Sequence, residues 1–208
     1  IKVGHTTCTV NQVIKDIEND LTLKTAILDK RFIIGEKRLF NNLKIKFNAL
    51  RKDTVSQFVK LKIKEQSQRH HKIGGSRYML EPNVKESKGC IRDLNTIYWL
   101  LKYKYGFDSL NELKLYDKKW ENYFSKYYNS LKYLMTVRCH LHYLSGRDNN
   151  ILDIAAQEQI AFCLKYSNRK NISSVERLMK RFYLSAKDVG NLTRIFNDDP
   201  SVDKNTLI

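Results

Sequence analysis

The sequence predicts a mainly α-helical bundle, and three observations carry that prediction. The 208 residues include only 8 Gly and 2 Pro, too few to punctuate a chain of short strands. Apolar residues recur at spacings of three and four, and strict alternation is rare. With 42% hydrophobic residues, 12 Tyr and 9 Phe, the chain holds enough apolar surface to fold around a core. Its length suits one good core, or one domain plus the edge of another.

The elements follow in order. "IKVGH" at the start is the only stretch that reads as a strand, and residues 9–18 and 22–30 read as short helices. Gly35 and Glu36 open a further helix through Phe40 and Leu43. Residues 55–71, "VSQFVKLKIKEQSQRHH", form a Lys-rich helix whose thin apolar stripe, Phe58 and Leu61 with Val59 and Ile63 beside it, leaves most of its surface to water. Residues 72–90 have no helical period; their glycines and Pro82 mark an irregular connection long enough to be functional, and the principal boundary of the chain falls here.

Beyond it Leu94, Ile97, Tyr98 and Leu101 trace a helical stripe, with Asp93 at the start of the helix complementing the positive end of its dipole. Residues 108–114 read as a short helix and 118–145 as a long one packing through Leu131, Leu134, Met135, Leu141 and Leu144. In "SGRDNN" Gly146 stops that helix, and Asp148 to Asn150 stand ready to cap the next, predicted to pack through Ile151, Ile154, Ala155 and Phe162. Ser173 with Glu176 makes a capping box for the last helix, whose face is Val175, Leu178, Met179, Phe182, Ala186 and Val189. Residues 199–208 are expected to fray. Long helices joined by short turns make a bundle.

Composition narrows the function classes. The 38 Lys and Arg against 22 Asp and Glu give a formal charge of +16, which favours anionic partners: nucleotides, nucleic acid or an acidic protein. Lys, Asn, Ile and Tyr all have AT-rich codons, so base skew stands beside function as an alternative source of that charge. No RNA-binding signature or cluster of Arg and aromatic residues singles out nucleic acid, which is not favoured as a partner. No stretch is long and apolar enough to span a bilayer and no secretory signal opens the chain; the expected location is the cytoplasm. Cys8, Cys90, Cys139 and Cys163 form no C-x-x-C pair, which argues for free thiols rather than a disulfide frame or zinc site. Residue 1 is Ile rather than Met, so further sequence is expected upstream.

Candidate chemistry concentrates in "EPNVKESKGCIRD", residues 81–93. A basic, Gly-containing loop feeding a helix N-terminus offers backbone NH groups to a phosphate or carboxylate. Lys85 and Lys88 act there as point charges, Gly89 lets the backbone turn, and Arg92 is able to grip two oxygens. The competing reading is that Arg92, beside Asp93, ties the loop to the bundle. His140-x-His142 and His70-His71 are spaced poorly for chelation and read as surface or packing residues. His5 sits where an imidazole reaches the rim of a site, or makes a structural hydrogen bond. Arg138, Arg147 and Arg177 read as bundle ties. No nucleophile motif, Walker loop or trusted carboxylate pair is present, so no catalytic residue and no metal ligand is assigned.

Residues 81–99, "EPNVKESKGCIRDLNTIYW", resemble the E-P-N-x-K-E-x-x-G-G-L-R-D-x-x-T-x-x-W signature of the bacterial protein-PII uridylyltransferase/uridylyl-removing enzymes. Four other segments agree in order. "IKVGHTTCTV" is similar to L-K-V-G-H-S-x-R-T, and "DLTLKTAILDKRFIIGEKRLF" to D-x-x-x-x-T-x-L-L-x-x-R-x-x-x-G-x-x-x-L-F. "VRCHLHYLSGRDNNIL" resembles V-R-x-x-L-H-x-x-x-G-R-x-x-x-x-L, and "VERLMKRFYLSAKDV" resembles V-E-x-F-M-x-x-Y-Y-x-x-A-x-x-V. The resemblance covers residues 1 to about 196.

It implies that residues 1–75 are the C-terminal remnant of a nucleotidyltransferase domain similar to DNA polymerase β, and residues 76–198 the family's helical domain. In that family a G-G-x-G-R-G-E-L loop holds the triphosphate and a D-x-D binds Mg²⁺, both upstream of V-G-H, and neither occurs in these residues. A phosphohydrolase domain and glutamine-sensing ACT repeats follow downstream in the family. The complete enzyme uses Mg²⁺ and UTP and acts on the PII protein; this chain is expected to be a fragment or a degenerate relative of it, inactive alone, with an upstream nucleotidyltransferase fragment and PII as its candidate partners. Two further readings stand beside this one: a stand-alone helical module binding a protein or nucleotide, and a basic nucleic-acid binder. The resemblance implies that Lys85, Lys88, Gly89 and Arg92 face the nucleotide, with His5 near them. Two departures matter: Cys8 replaces an Arg, and Cys90 replaces the second Gly of the G-G pair, where a required positive φ would cost about 1 kcal/mol or more and crowd the site.

Overall fold

The structure, a computed structural model, describes residues 4–107, 109–115 and 119–197, with the side chains of 113–115 and 119 left aside. Among the described residues there are eight α-helices, one 3-10 helix and no strand, so the expected helical bundle is what forms. The helices are α1 (Val10–Asn19), α2 (Leu21–Leu28), α3 (Lys37–Asp53), α4 (Val55–Lys72), α5 (Ile91–Tyr105), α6 (Lys119–Ser145), α7 (Ile154–Cys163) and α8 (Ser174–Asn197), with the 3-10 helix at Leu110–Leu115. The strand expected at "IKVGH" is not seen at Gly4 or His5, which have no regular structure; residues 1–3 and the tail 199–208 lie outside the described residues.

Local side-chain caps account for the starts of α1, α2, α7 and α8. Thr9 caps α1 by accepting from the Gln12 amide at 3.2 Å, and Asp20 caps α2 through Thr22 and Leu23 at 2.7 and 3.0 Å. At α8 the capping box is reciprocal: the Ser173 amide donates to Glu176 at 2.6 Å, and the Glu176 amide donates to the Ser173 hydroxyl at 3.2 Å. Gly146, with φ +61, ends α6 as expected.

Two apolar cores lie side by side. The first gathers Ile17 of α1, Leu28 of α2, Phe47 of α3 and Phe58 and Val59 of α4 around Leu100 and Tyr103 of α5. The Tyr103 ring stacks on Phe58 at 3.8 Å between centroids and meets Phe47 edge-on, while its hydroxyl bonds Thr54 at 2.6 Å. The second core is built by Leu94, Ile97 and Leu101 of α5 with α6, α7 and α8, centred on Leu134, Leu141, Ile160, Leu178 and Phe182. Helix α5 therefore belongs to both cores, one on each face.

The last helix buries the expected face, Leu178, Met179, Phe182, Ala186 and Val189, and extends it to Leu192 and Phe196. Elsewhere the predicted faces are rotated. Phe162 is 83% exposed and Ile154 51%, and Ile151 and Ala155 also face water; Leu152, Gln157, Ile160 and Ala161 enter the core instead. The reason is where α7 starts: Asp153, not Asp148 to Asn150, caps it by accepting from the Ala156 amide at 2.8 Å, and Ile151 is held outside it by a bridge to Asn83. Met135 and Leu144 of α6 and Leu61 of α4 are likewise exposed. On α4 the buried side is Phe58, Val59, Lys62 and Gln66, a stripe half polar because Lys62 pairs with Glu65 and lies over the Trp99 ring, while Gln66 donates to Asp93 of α5 and accepts from Asn197 of α8.

Candidate functional site

The irregular connection is bound into the fold along its length. The Val84 amide donates to Asn150 at 2.8 Å and the Leu152 amide to Pro82 at 2.9 Å, so residues 82–84 run antiparallel beside 150–152. The Met79 carbonyl accepts from the Tyr183 hydroxyl at 2.9 Å, and the Leu80 carbonyl from the Gln157 amide group at 2.8 Å. Inside the loop Asn83 folds the backbone by accepting from the amides of Lys85 and Glu86 at 3.0 and 2.8 Å.

Gly89 is the closest approach. Its φ is +82, and a Cβ there would collide with the backbone carbonyl of Ala186 on α8. Cys90 corrects the expected strain: its φ is −107, open to any residue, so the position that demands glycine is 89 and not 90. The Cys90 side chain is wholly buried, and burial pushes its thiol up, so it packs as a small apolar group and is not a nucleophile.

Asp93 is the hub. It is 1% exposed and accepts from the Gly89 amide at 2.7 Å, Gln66 Nε2 at 2.9 Å, His70 Nε2 at 2.9 Å and the Arg69 guanidinium. Gln66, Arg69 and His70 stand at i, i+3 and i+4 on one face of α4, so a single carboxylate locks the end of α4 to the loop and to the first turn of α5. Burial alone would push the Asp93 carboxyl up. The His70 hydrogen bond and charge, the Gly89 amide and Arg69 outweigh it and hold the carboxyl below its usual range. Since an ionised carboxylate only accepts, His70 Nε2 donates. Expecting His70 to be a mere surface or packing residue missed this bond; Gln66, Arg69 and His70 were detectable as polar residues continuing the Phe58–Lys62 stripe at helical spacing.

The candidate anion-site residues separate. Arg92 lies 3.1 Å from Glu86 and Lys85 4.0 Å from the same carboxylate, which Arg69 approaches at 3.9 Å. Arg92 thus ties the loop through Glu86 rather than Asp93. The Gly89 amide is used by Asp93, and Lys88 is half-buried with no hydrogen bond or ion pair among the described residues. His5 is exposed on the segment before α1 and makes no hydrogen bond or ion pair among the described residues.

Beside the loop, Arg138 donates to Asn150 at 2.7 Å and reaches Asp148 at 3.7 Å, with His142 3.2 Å from the same carboxylate. The Asn150 hydrogen bond, then His142, Lys85 and Arg138, hold the Asp148 carboxyl below its usual range. Arg138 and Arg177, which donates to the Ser167 carbonyl at 2.7 Å, act as ties.

Among the described residues no group of three or more His, Cys, Asp or Glu is arranged to hold a metal ion. Asp93, the most buried carboxylate of the loop, is already saturated by four donors, so the Mg²⁺ implied by the resemblance does not fit here. No helix among the described residues is long and apolar enough to cross a membrane.

Three segments that carry the resemblance, around residues 81–99, 137–152 and 175–189, thus meet at one end of the second core, through Val84 with Asn150 and Gly89 with Ala186. Comparison with known proteins agrees. The family model described as GlnD PII-uridylyltransferase matches residues 57–197. The bifunctional uridylyltransferase/uridylyl-removing enzyme of Rhodospirillum rubrum is 41% identical over 197 residues, covering 94% of this chain and 21% of the relative. Those of Phenylobacterium zucineum and Azospirillum brasilense are 41% and 40% identical over 199 and 200 residues, with the same coverage. The chain spans about a fifth of the length of these relatives, 21% in each case. No solved structure matches it. With its family-specific loop folded on a buried aspartate and two thirds of its length matched by the family model, the chain belongs to the GlnD PII-uridylyltransferase family.

Proposed function

We propose that these residues serve UMP transfer from UTP to the PII protein as the helical portion of a uridylyltransferase, and that they position rather than perform the chemistry. In this reading residues 1–75 complete a nucleotidyltransferase domain, residues 76–198 form the helical domain, and α5, buried on both faces, couples the two. Lys85, Lys88 and Arg92 face the nucleotide, Gly89 shapes their loop, and His5 lies on the adjoining transferase side.

The observation that carries this reading is the Asp93 hub. A loop rich in cations is held rigidly by a carboxylate that keeps none of its oxygens for a metal. Phosphoryl transfer depends on positioning and on metal-assisted charge stabilisation, and a rigid basic loop supplies only the first. The Mg²⁺ and the triphosphate-holding glycine loop are then contributed by sequence outside these residues, carried by a fragment bearing G-G-x-G-R-G-E-L and D-x-D.

The test is an assay of UMP transfer from UTP and Mg²⁺ to PII, with the chain alone and with that fragment added. The reading expects transfer only in the combined reaction. Labelling of PII by the chain alone would overturn it.

A further inference from the structure

An open groove of about 490 Å³ runs along α8, lined by Tyr78, Met179, Tyr183 and Leu184 between Lys180 and Lys187. The Tyr78 ring meets that of Tyr183 with centroids 5.6 Å apart, and the Tyr183 hydroxyl donates to the Met79 carbonyl at 2.9 Å, so the segment before the loop is fixed against the helix. Tyr78 is 63% exposed and Leu184 47%, so the groove lies open to water and does not enclose a small molecule. An apolar surface of this kind, rimmed by charge, suits a protein partner.

The rim is basic and regularly spaced. Lys180 and Lys187 stand seven residues apart, and Arg194 continues them at the same interval. Seven residues make nearly two full turns, so the three share one face of α8, about 10.5 Å apart along its axis. Arg77 joins them from the facing segment: its guanidinium packs on Gly190, between Lys187 and Arg194, in space that a Cβ would fill. None of these four cations has a hydrogen bond or ion pair among the described residues. Among the described residues Glu176 is the one carboxylate lining the groove, and it is engaged at the start of α8, where it accepts from the Ser173 amide at 2.6 Å. Asp188, next to Lys187, lies about 100° further round the helix and makes no ion pair among the described residues. Four cations against one carboxylate leave a surplus of three positive charges along an apolar floor.

We propose that this face docks an acidic amphipathic helix of a partner protein. The helix seats an aliphatic or aromatic side chain between Tyr78 and Leu184 and sets carboxylates, seven residues apart, against Lys180, Lys187 and Arg194. Charge selects this occupant. A second copy of the chain carries the same formal charge of +16 and is repelled, and nucleic acid would leave Met179 and Leu184 without an apolar partner. The inference does not depend on the nucleotide-facing role of the loop.

Fluorescence anisotropy tests this with a labelled helical peptide of about 18 residues, long enough to span Lys180 to Arg194, with Leu at i, i+3, i+4 and i+7 and Glu at every seventh position. Saturable binding is expected, about tenfold weaker for the same peptide with Lys in place of Glu, and about tenfold weaker when Lys180→Glu and Lys187→Glu are combined. The charge-reversed variant should prefer the Lys peptide, and Leu184→Ser should weaken the Glu peptide without changing that preference. All three substituted side chains are exposed, and circular dichroism establishes that the variants are folded. Absence of saturable binding, equal affinity for the two peptides, or unchanged affinity in the charge-reversed variant would overturn the proposal. So would displacement of the Glu peptide by an equal concentration of single-stranded oligonucleotide, which identifies nucleic acid as the occupant, or a dimer in sedimentation that Leu184→Ser abolishes, which identifies a second copy.

Discussion

Replacing Asp93 with alanine removes the acceptor shared by Gly89, Gln66, Arg69 and His70 and leaves the Arg69 charge, 13% exposed, without its buried partner. Breaking a buried ion pair by removing one member costs about 3–5 kcal/mol. For a chain of this size each kcal/mol lowers the melting temperature by roughly 2–4 °C, so a fall of roughly 6–20 °C is expected in thermal unfolding followed by circular dichroism. The variant Asp93→Asn separates charge from shape, because its amide turns one acceptor into a donor aimed at other donors, and it too should be destabilised. The pH dependence has a definite sign. The folded Asp93 carboxyl titrates below its ordinary value of 3.8, so its contribution is complete well above that value and is lost as pH falls through the lower folded one. Asp93→Asn should lack this acid-sensitive component. A loss under about 1 kcal/mol in Asp93→Ala, or an unchanged acid profile in Asp93→Asn, would refute the hub.

Other substitutions probe neighbouring claims. Gly89→Ala puts a Cβ into the Ala186 carbonyl at a positive φ, and urea denaturation should register a loss of about 2 kcal/mol or more; a neutral result would contradict the close approach. Alkylation of the native chain followed by mass spectrometry should modify Cys8, Cys139 and Cys163 and spare Cys90, whose labelling at a matching rate would mean that the loop opens. Lys88→Ala touches no described partner, so its melting temperature should stay within about 2 °C of wild type while UMP transfer by the completed enzyme falls; unchanged transfer removes Lys88 from the nucleotide-facing set.

How much of this was legible in advance depends on the range of the signal. The α8 capping box needs only residues three apart, and its face repeats every three or four, so both could be read directly. The loop motif around residues 81–93 was equally plain as a pattern, but its physics was not. Which glycine requires a positive φ depends on where α8 passes, and that places the demand at 89 while leaving Cys90 relaxed. The face of α7 was misjudged because all of its candidate residues are apolar; the choice among them came from the bridge between Asn83 and Ile151, nearly seventy positions apart in the sequence.

By itself the sequence determined the helical class, most helix boundaries, the free thiols and the family-specific segments, because each rests on residues within a turn or two of one another. Tertiary structure alone decided that Gln66, Arg69 and His70 turn inward, that Asp93 gathers them with Gly89, and that α5 serves two cores. The physical reason is that burying a polar group is favourable only when its partner is present, and here the partners come from distant parts of the chain.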